Sequence, residues 1–595
     1  MLRDRKISPT SSKSDRKFNP TRGCPQGGCL SPLEWCLVVN SLLKELNNCG
    51  FVVTAYADDV TITATANNTK MGKKILCQRM NEAMIIVEKW CRKTGLHVNP
   101  DKSNYIRFAK GKPKYLLDPI RLHGGEIKRV DTVKYLGVTI DQNLSWTSHI
   151  RNIVTKAKRS MWASRSLVGR NWGLDPLRTS WLYKQIILPR ITYGSLVWWH
   201  KASKPVNRLL LNSIQRLALL MITGAMKTTP TASLEALTNL SPLPVKISTL
   251  AYEAHLRLKS NNMWRRDCLQ VGHTVITNLL GRNDLEADCS KRQWNFSNKY
   301  KVIINERKEW LNGTDGIKKE NHWFTDGSLR RNKAGCGIFN EHRNVRTSIR
   351  LGFQASSLHI EMKAIEICAK LIIKRKGKDK VLIATDSKAA LEALGRPYSS
   401  SRATKACIDA LNDLAQQREV ALIWSPGHSG IRGNEQADLL AKEATDRDAV
   451  DINTCDKATR AKDEINRWEK NKAREMWRLS PGQNTSKKFI KGFSEEFSEE
   501  ILRMNRKDLR VITGLLTGHA CLNAHLYRIG KAEEETCRLC LDGDESTTHL
   551  LKECEGTLWF RRKYLNGEVK DWNPKDIIKF ARSTEIYDSF FPNEI

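Results

Sequence analysis

The chain has 595 residues, enough for about four separately cored units at roughly 150 residues each, which argues against a single compact fold. Hydrophobic residues make up 40% and charged residues 27%, a globular balance that speaks against wholesale disorder or a fibrous repeat. Lys and Arg exceed Asp and Glu by 99 − 64 = 35, so the summed field is strongly positive and would collect polyanions, nucleic acid above all.

Met1 to Lys17 is polar and basic with no apolar h-region, so it does not read as a secretory signal. No run of roughly 18 uncharged apolar residues appears, and no membrane partner is expected. Sixteen scattered Cys, several inside apolar stretches (Cys29, Cys36, Cys368, Cys407), fit reduced thiols in an intracellular protein of the nucleus or cytoplasm rather than a secreted one.

Composition divides the chain into four segments, multidomain α+β and α/β overall. Residues 1–145 alternate strand-like runs (Phe51 to Ala57, Val60 to Ala64, Tyr105 to Phe108, Tyr135 to Ile140) with helical stretches (Leu33 to Leu46, Met80 to Cys91). Within them Tyr56-Ala57-Asp58-Asp59 places two adjacent aspartates in a predicted hairpin turn, where mutual repulsion favours a cation. Residues 146–310 read as basic helices separated by prolines. The helix Ser148 to Arg165 presents Arg151, Lys156, Lys158 and Arg159, either to phosphates or simply to water. Trp198 and Trp199 read as core rather than as base-stacking residues.

Residues 318–447 carry strands at His322 to Thr325, Cys336 to Asn340 and Val345 to Leu351, then a helix, then the strand Val381 to Thr385. A set of acidic residues runs through them. Asp326, in Thr325-Asp326-Gly327-Ser328, reads most simply as a hairpin turn. Glu361 precedes Ala364, Ile365, Cys368, Ala369 and Ile372, so it shares the apolar face of its helix; its charge needs a partner there unless it reaches out to water. Asp386 stands between a strand tip and a helix start, where N-capping is the ordinary role. Asp438, in Asn434-Glu435-Gln436-Ala437-Asp438, reads as a first-turn acid favoured by the helix dipole. His428, in Ser425-Pro426-Gly427-His428-Ser429-Gly430, could be a plain surface residue.

Residues 448–595 open with a charged helix on which Ala461, Ile465, Trp468 and Met476 share a face. They end in Cys537-x2-Cys540-x8-His549-x4-Cys554, three thiolates and an imidazole suited to a tetrahedral Zn²⁺ site, with free thiols in a small core as the alternative.

Taken in order, Thr-Asp-Gly-Ser, a helical Glu, Thr-Asp-Ser, Trp-Ser-Pro-Gly-His and Asn-Glu-Gln-Ala-Asp resemble the type-1 ribonuclease H family. The resemblance implies a mixed five-stranded sheet with helices. It also implies that Asp326, Glu361, Asp386 and Asp438 hold two Mg²⁺ ions, with His428 assisting proton handling or product release, for hydrolysis of the RNA strand of RNA:DNA hybrids. Arg22-Gly23-Cys24-Pro25-Gln26-Gly27-Gly28, Tyr-Ala-Asp-Asp, Gly95-Leu96-His97-Val98-Asn99-Pro100-Asp101-Lys102 and Tyr135-Leu136-Gly137 resemble the later palm motifs of non-LTR, LINE-like reverse transcriptases. By that resemblance Pro25, Gln26 and Gly27 approach template and nucleotide, Asp58 and Asp59 bind Mg²⁺, and Lys102 lies near the phosphates. Residues 146–310 would then be thumb and connection.

A palm also needs a first metal-binding aspartate on an earlier strand. Only 23 residues precede Cys24, with Asp4 and Asp15 in polar surroundings. The expectation is therefore an Mg²⁺-dependent ribonuclease H, acting on RNA:DNA hybrid and on the element's own RNA and DNA, joined to a 5′-truncated and polymerase-inactive palm. Two other readings stay open: RNA-directed DNA synthesis with a partner chain completing the palm, and a non-catalytic nucleic-acid-binding remnant.

Overall fold

The computed structural model describes residues 27–109, 117–169, 172–260, 263, 289–304, 321–330, 333–352, 356–375, 377–427, 429–452, 457–566 and 572–591. The chain forms two compact units, Met1–Ile153 and Val154–Ile595.

In the first unit, α1 (Ser31–Asn48) and α2 (Lys70–Thr94) bury one stripe each, Val39, Leu42 and Leu46 on α1 and Ala83, Met84, Val87, Trp90 and Cys91 on α2. The Trp90 indole donates to Ser41 Oγ at 2.9 Å, tying the two helices together. Thr69 caps α2 by accepting from Gly72 N, and Gly95 ends it with φ +68°, a conformation that glycine adopts without a Cβ clash. Strands β1 (Val52–Tyr56) and β2 (Asp59–Thr63) form an antiparallel hairpin. The expected strand at Tyr135 to Ile140 is instead a tight hairpin, β3 (Thr132–Tyr135) and β4 (Val138–Asp141), because Leu136 and Gly137 both take positive φ, 45° and 82°. The expected run Tyr105 to Phe108 is a strand only over Asn104–Tyr105. Helix α3 (Thr147–Ser164) follows and carries the chain past Ile153 into the second unit.

The second unit holds a helical body and a mixed sheet. The body is built from distant parts of the sequence. Helices α4 (Pro205–Thr223), α5 (Thr231–Leu237) and α6 (Leu243–Ser260) pack with α11 (Lys457–Leu479) and α12 (Arg506–Thr517); the four helices that come between in the chain belong to the sheet. Tyr252 meets Trp468 with ring centroids 5.0 Å apart, Lys246 pairs with Glu469 at 3.0 Å, and Ser233 donates to Ser486 at 2.8 Å. Arg506, 5% exposed, donates to the carbonyls of Leu174 and Met221 and to Thr179 Oγ1. Trp198 and Trp199 are buried, as core residues should be.

The sheet has six strands rather than the expected five, in the order β5 (Lys301–Ile303), β10 (Val420–Trp424), β9 (Val381–Thr385), β6 (His322–Arg330), β7 (Lys333–Asn340), β8 (Val345–Leu351). Five of the six strands run in one direction; β7 alone is reversed, pairing antiparallel with both β6 and β8. The extra edge strand escaped sequence reading because three residues carry no period, and it lies in a segment read as wholly helical. Cys289–Asn295, in that same segment, is also a strand and pairs with Tyr398–Ser401.

Helices α7 (Ser357–Ile373), α8 (Lys388–Gly395) and α9 (Arg402–Gln417) share one core with the sheet, and α10 (Arg432–Asp446) packs on β6, β7 and β8. On β9, Val381 and Ile383 enter the main core while Leu382 and Ala384 join a second cluster with Phe324 and Ile423, which is why that strand reads as an unbroken apolar run. Among the described residues no helix is long and apolar enough to cross a membrane.

Candidate active site and metal clusters

The strongest site lies at one end of the parallel strands. Strand β6 runs through Asp326 and Gly327, which pair with Gly337 and Cys336 of β7, so the turn reading of Asp-Gly does not hold. Asp326 is instead a mid-strand residue, 6% exposed. Glu361 lies in the second turn of α7, also 6% exposed, and does not reach out to water. Gly327 permits this approach: a Cβ there would come within 2.9 Å of Glu361 N.

Asp386 follows β9, and the capping role falls to Ser387, whose hydroxyl accepts from Ala390 N. Its backbone is fixed by β10, where the Trp424 indole donates to the Asp386 carbonyl at 3.0 Å and Ser425 N–H donates to Thr385 O at 2.8 Å. Lys388 lies over the Trp424 ring, 4.1 Å from its centroid. Ligand atoms of Asp326, Glu361 and Asp386 all fall within 4.8 Å of one another. Asp438 is not in the first turn of its helix as expected, because α10 begins at Arg432. It adjoins Asp326 closely enough for the two carboxyls to hydrogen-bond, and it is paired with Lys442. His428, Pro25 and Gln26 lie outside the described residues.

The electrostatics call for a cation. Burial, reinforced by Asp386 and Asp438, pushes the Asp326 carboxyl up to about 7. Burial, then Asp326 and Asp386, pushes Glu361 up to about 9. Glu361 Oε2 is buried without a hydrogen-bond partner. Hard oxygen donors converging from three elements, with one lone pair unsatisfied, fit a divalent ion of the Mg²⁺ type.

In the first unit, Ala57 and Asp58 form the two-residue turn of the β1–β2 hairpin, with Ala57 at φ 52° and its carbonyl held by the Trp35 indole at 2.6 Å. Asp58 and Asp59 are exposed at the tip. Among the described residues no third Asp, Glu, His or Cys joins them in a metal-holding group. Lys102 ends a short 3₁₀ turn and is exposed, as is Gly27.

Cys537, Cys540, His549 and Cys554 converge near the end of the chain. Cys537 Sγ and Cys554 Sγ are 3.8 Å apart, and Cys540 Sγ is 3.2 Å from His549 Nε2. A tetrahedron with ~2.3 Å zinc–sulfur bonds has S···S edges of about 3.8 Å, so the set can hold Zn²⁺. The loop is shaped from outside by Glu545, 1% exposed, which pairs with Arg538 at 2.7 Å and accepts from Arg538 N and Asn523 N. Burial pushes the Cys537 thiol up to about 12.

Sequence reasoning missed Lys442, Trp424 as the bracket on Asp386, and the glycines that admit α10. A Cβ at Gly337 would come within 1.9 Å of Ala437 O, and one at Gly427 would meet Asp386 Oδ2 at 2.8 Å. The i, i+4 spacing of Asp438 and Lys442 was a usable signal.

The reverse transcriptase (RNA-dependent DNA polymerase) family model matches residues 3–140, and the RNase H family model matches residues 318–446. The chain thus combines a reverse-transcriptase segment with an RNase H domain. It is homologous to the Pol proteins of R1- and jockey-type non-LTR retrotransposons. Two Pol polyproteins from type-1 retrotransposable elements of Nasonia vitripennis, R1 2 and R1, are 28% and 30% identical to it over 40% and 36% of the chain. The RNA-directed DNA polymerase from the Drosophila melanogaster mobile element jockey is 26% identical over 43% of the chain. The matches span 59%, 64% and 27% of those relatives' own lengths. Among solved structures, RNase H1 from Halobacterium salinarum NRC-1 is 21% identical, covering 21% of this chain and 96% of that one, with a TM-score of 0.18.

Proposed function

We propose that residues 318–447 hydrolyse the RNA strand of RNA:DNA hybrids. The observation that carries this reading is the convergence of Asp326, Glu361 and Asp386 within 4.8 Å, beside Asp438, in an RNase H-type sheet. Two Mg²⁺ ions bound by these carboxylates would activate the attacking water and stabilise charge on the leaving 3′-oxygen. The protein's own part is rigid placement. Asp326 is held by its pairing with Gly337 of β7, directly after Thr325 pairs with Thr385 of β9, Glu361 by burial, and Asp386 by the Trp424 hydrogen bond. His428 is assigned to proton handling or product release. Selection of hybrids would rest on ribose 2′-hydroxyls and groove shape rather than base sequence, with the positive field drawing the duplex in.

Zn²⁺ at the C-terminal cluster would fold its loop. Supporting a second activity, RNA-directed DNA synthesis, are the reverse-transcriptase match over residues 3–140 and the adjacent aspartates Asp58 and Asp59 at the hairpin tip; in that activity Pro25, Gln26 and Gly27 would approach template and nucleotide, and Lys102 the phosphates.

The test is cleavage of a labelled RNA:DNA hybrid in Mg²⁺ by the whole chain and by Asp386→Asn, with primer extension alongside. The expected result is RNA-strand cleavage that falls by more than about 100-fold in the variant. Salt-sensitive binding without cleavage would refute the nuclease reading and leave a binding module. Primer extension lost in Asp58→Asn would establish the polymerase.

A further inference from the structure

The fourth carboxylate differs from the other three in one respect that bears on how the site fills. Asp326, Glu361 and Asp386 face each other within ligating distance. Asp438 stands outside that trio and carries its own counter-charge, the Nζ of Lys442 one helical turn along α10. The pair is partly shielded, with side-chain exposures of 32% for Lys442 and 24% for Asp438. Both groups sit on a helix held close to β7 by Gly335 and Gly337, whose absent side chains leave room for the α10 backbone. The amine therefore lies at the rim of the carboxylate cluster, beside Asp438, which in turn adjoins Asp326.

We propose that Lys442 is a resident counter-ion for Asp438 that divides the site in two. One half, Asp326, Glu361 and Asp386, is ready for a divalent cation. The other is reached only by displacing an amine. The inference rests on the cation-site reading given above. An i, i+4 pair on a helix surface is worth only about 0.3–0.5 kcal/mol for helix stability, so a purely local role predicts little effect on ion binding. A resident charge beside the second position predicts two unequal affinities, with the weaker one under the control of Lys442.

The experiment is calorimetric titration of the whole chain with Mn²⁺, without substrate. Wild type, Lys442→Met, Lys442→Arg and Asp438→Asn are compared with Lys405→Met, which breaks the like-spaced Lys405–Asp409 pair on α9. Wild type is expected to show a strong and a weak event, and Asp438→Asn to lose the weak one. Lys442→Met should tighten the weak event roughly three- to tenfold and leave the strong one within about twofold; Lys442→Arg and Lys405→Met should match wild type. Should methionine disturb α10, Lys442→Gln keeps polarity without charge. Equal shifts of both events, or weakening of the weak one, would overturn the proposal, the latter by showing that Lys442 orients Asp438 for the ion. No Mn²⁺ binding by wild type would instead overturn the cation-site reading itself.

Discussion

Glu361 offers a stability test of the site that needs no substrate. Its carboxyl is pushed up to about 9 by burial and by Asp326 and Asp386, against 4.5 for an ordinary glutamate. Between those values the metal-free native state holds a proton that the unfolded chain has released. Stability therefore falls as pH rises, by about 1.4 kcal/mol per unit from this group, starting near pH 4.5 and ending near pH 9. At pH 7 the accumulated loss is roughly 3 kcal/mol. Glutamine keeps the shape and has no proton to gain, so Glu361→Gln recovers up to that amount, equivalent to roughly 10 °C for a domain of this size. Asp326, pushed up to about 7, adds a parallel slope that ends there. Glu235, in the helical body of the same unit and pushed up to about 8 by burial, adds a like slope to both proteins, so the variant should simply fall less steeply than wild type, by about 1.4 kcal/mol per unit. Differential scanning calorimetry in EDTA between pH 5 and 8.5, following the transition that Mg²⁺ raises, measures the difference. With Mg²⁺ the order reverses, because only wild type gains from the ion. A wild-type midpoint in EDTA that is flat or rising with pH, or a variant that falls as steeply as wild type, would refute the reasoning.

Gly427→Ala places a Cβ 2.8 Å from Asp386 Oδ2, so the carboxylate must turn away. Hybrid cleavage should fall about 10- to 100-fold while the circular dichroism spectrum is unchanged, and full activity would show that the loop yields instead. At the C-terminal cluster, one zinc per chain is expected by atomic emission. Removing it with a chelator and then returning the protein to Mg²⁺ should expose residues 537–554 to proteolysis without altering cleavage of hybrids, and Cys540→Ser should behave in the same way.

Where side chains repeat with a period, the sequence was readable. Ala364, Ile365, Cys368, Ala369 and Ile372 all enter the core, and Val381 to Thr385 and Val345 to Leu351 are strands as expected. The four carboxylates were recognisable as a set, but not their settings. Asp-Gly usually turns a chain, yet here Gly327 serves to let a helix approach a strand, a tertiary requirement that no local window contains. The N-terminal limit of α10 was missed because Arg432-Gly433 opens it without a side-chain cap. Strand β5 exists only because β10 offers it an edge, and the packing of α6 on α11 joins segments that share no sequence signal.

That last arrangement has a consequence for synthesis. Roughly 200 residues separate the end of α6 from the start of α11, so at ~5–20 residues per second the ribosome needs about 10–40 s to supply the cover for Tyr252 and its neighbours. The sheet, whose strands are nearly contiguous, can close during that wait. A premature stop after residue 447 would therefore spare the sheet and harm what was made before it, leaving helices α4 to α6 with bare apolar faces and the nascent protein in need of a chaperone.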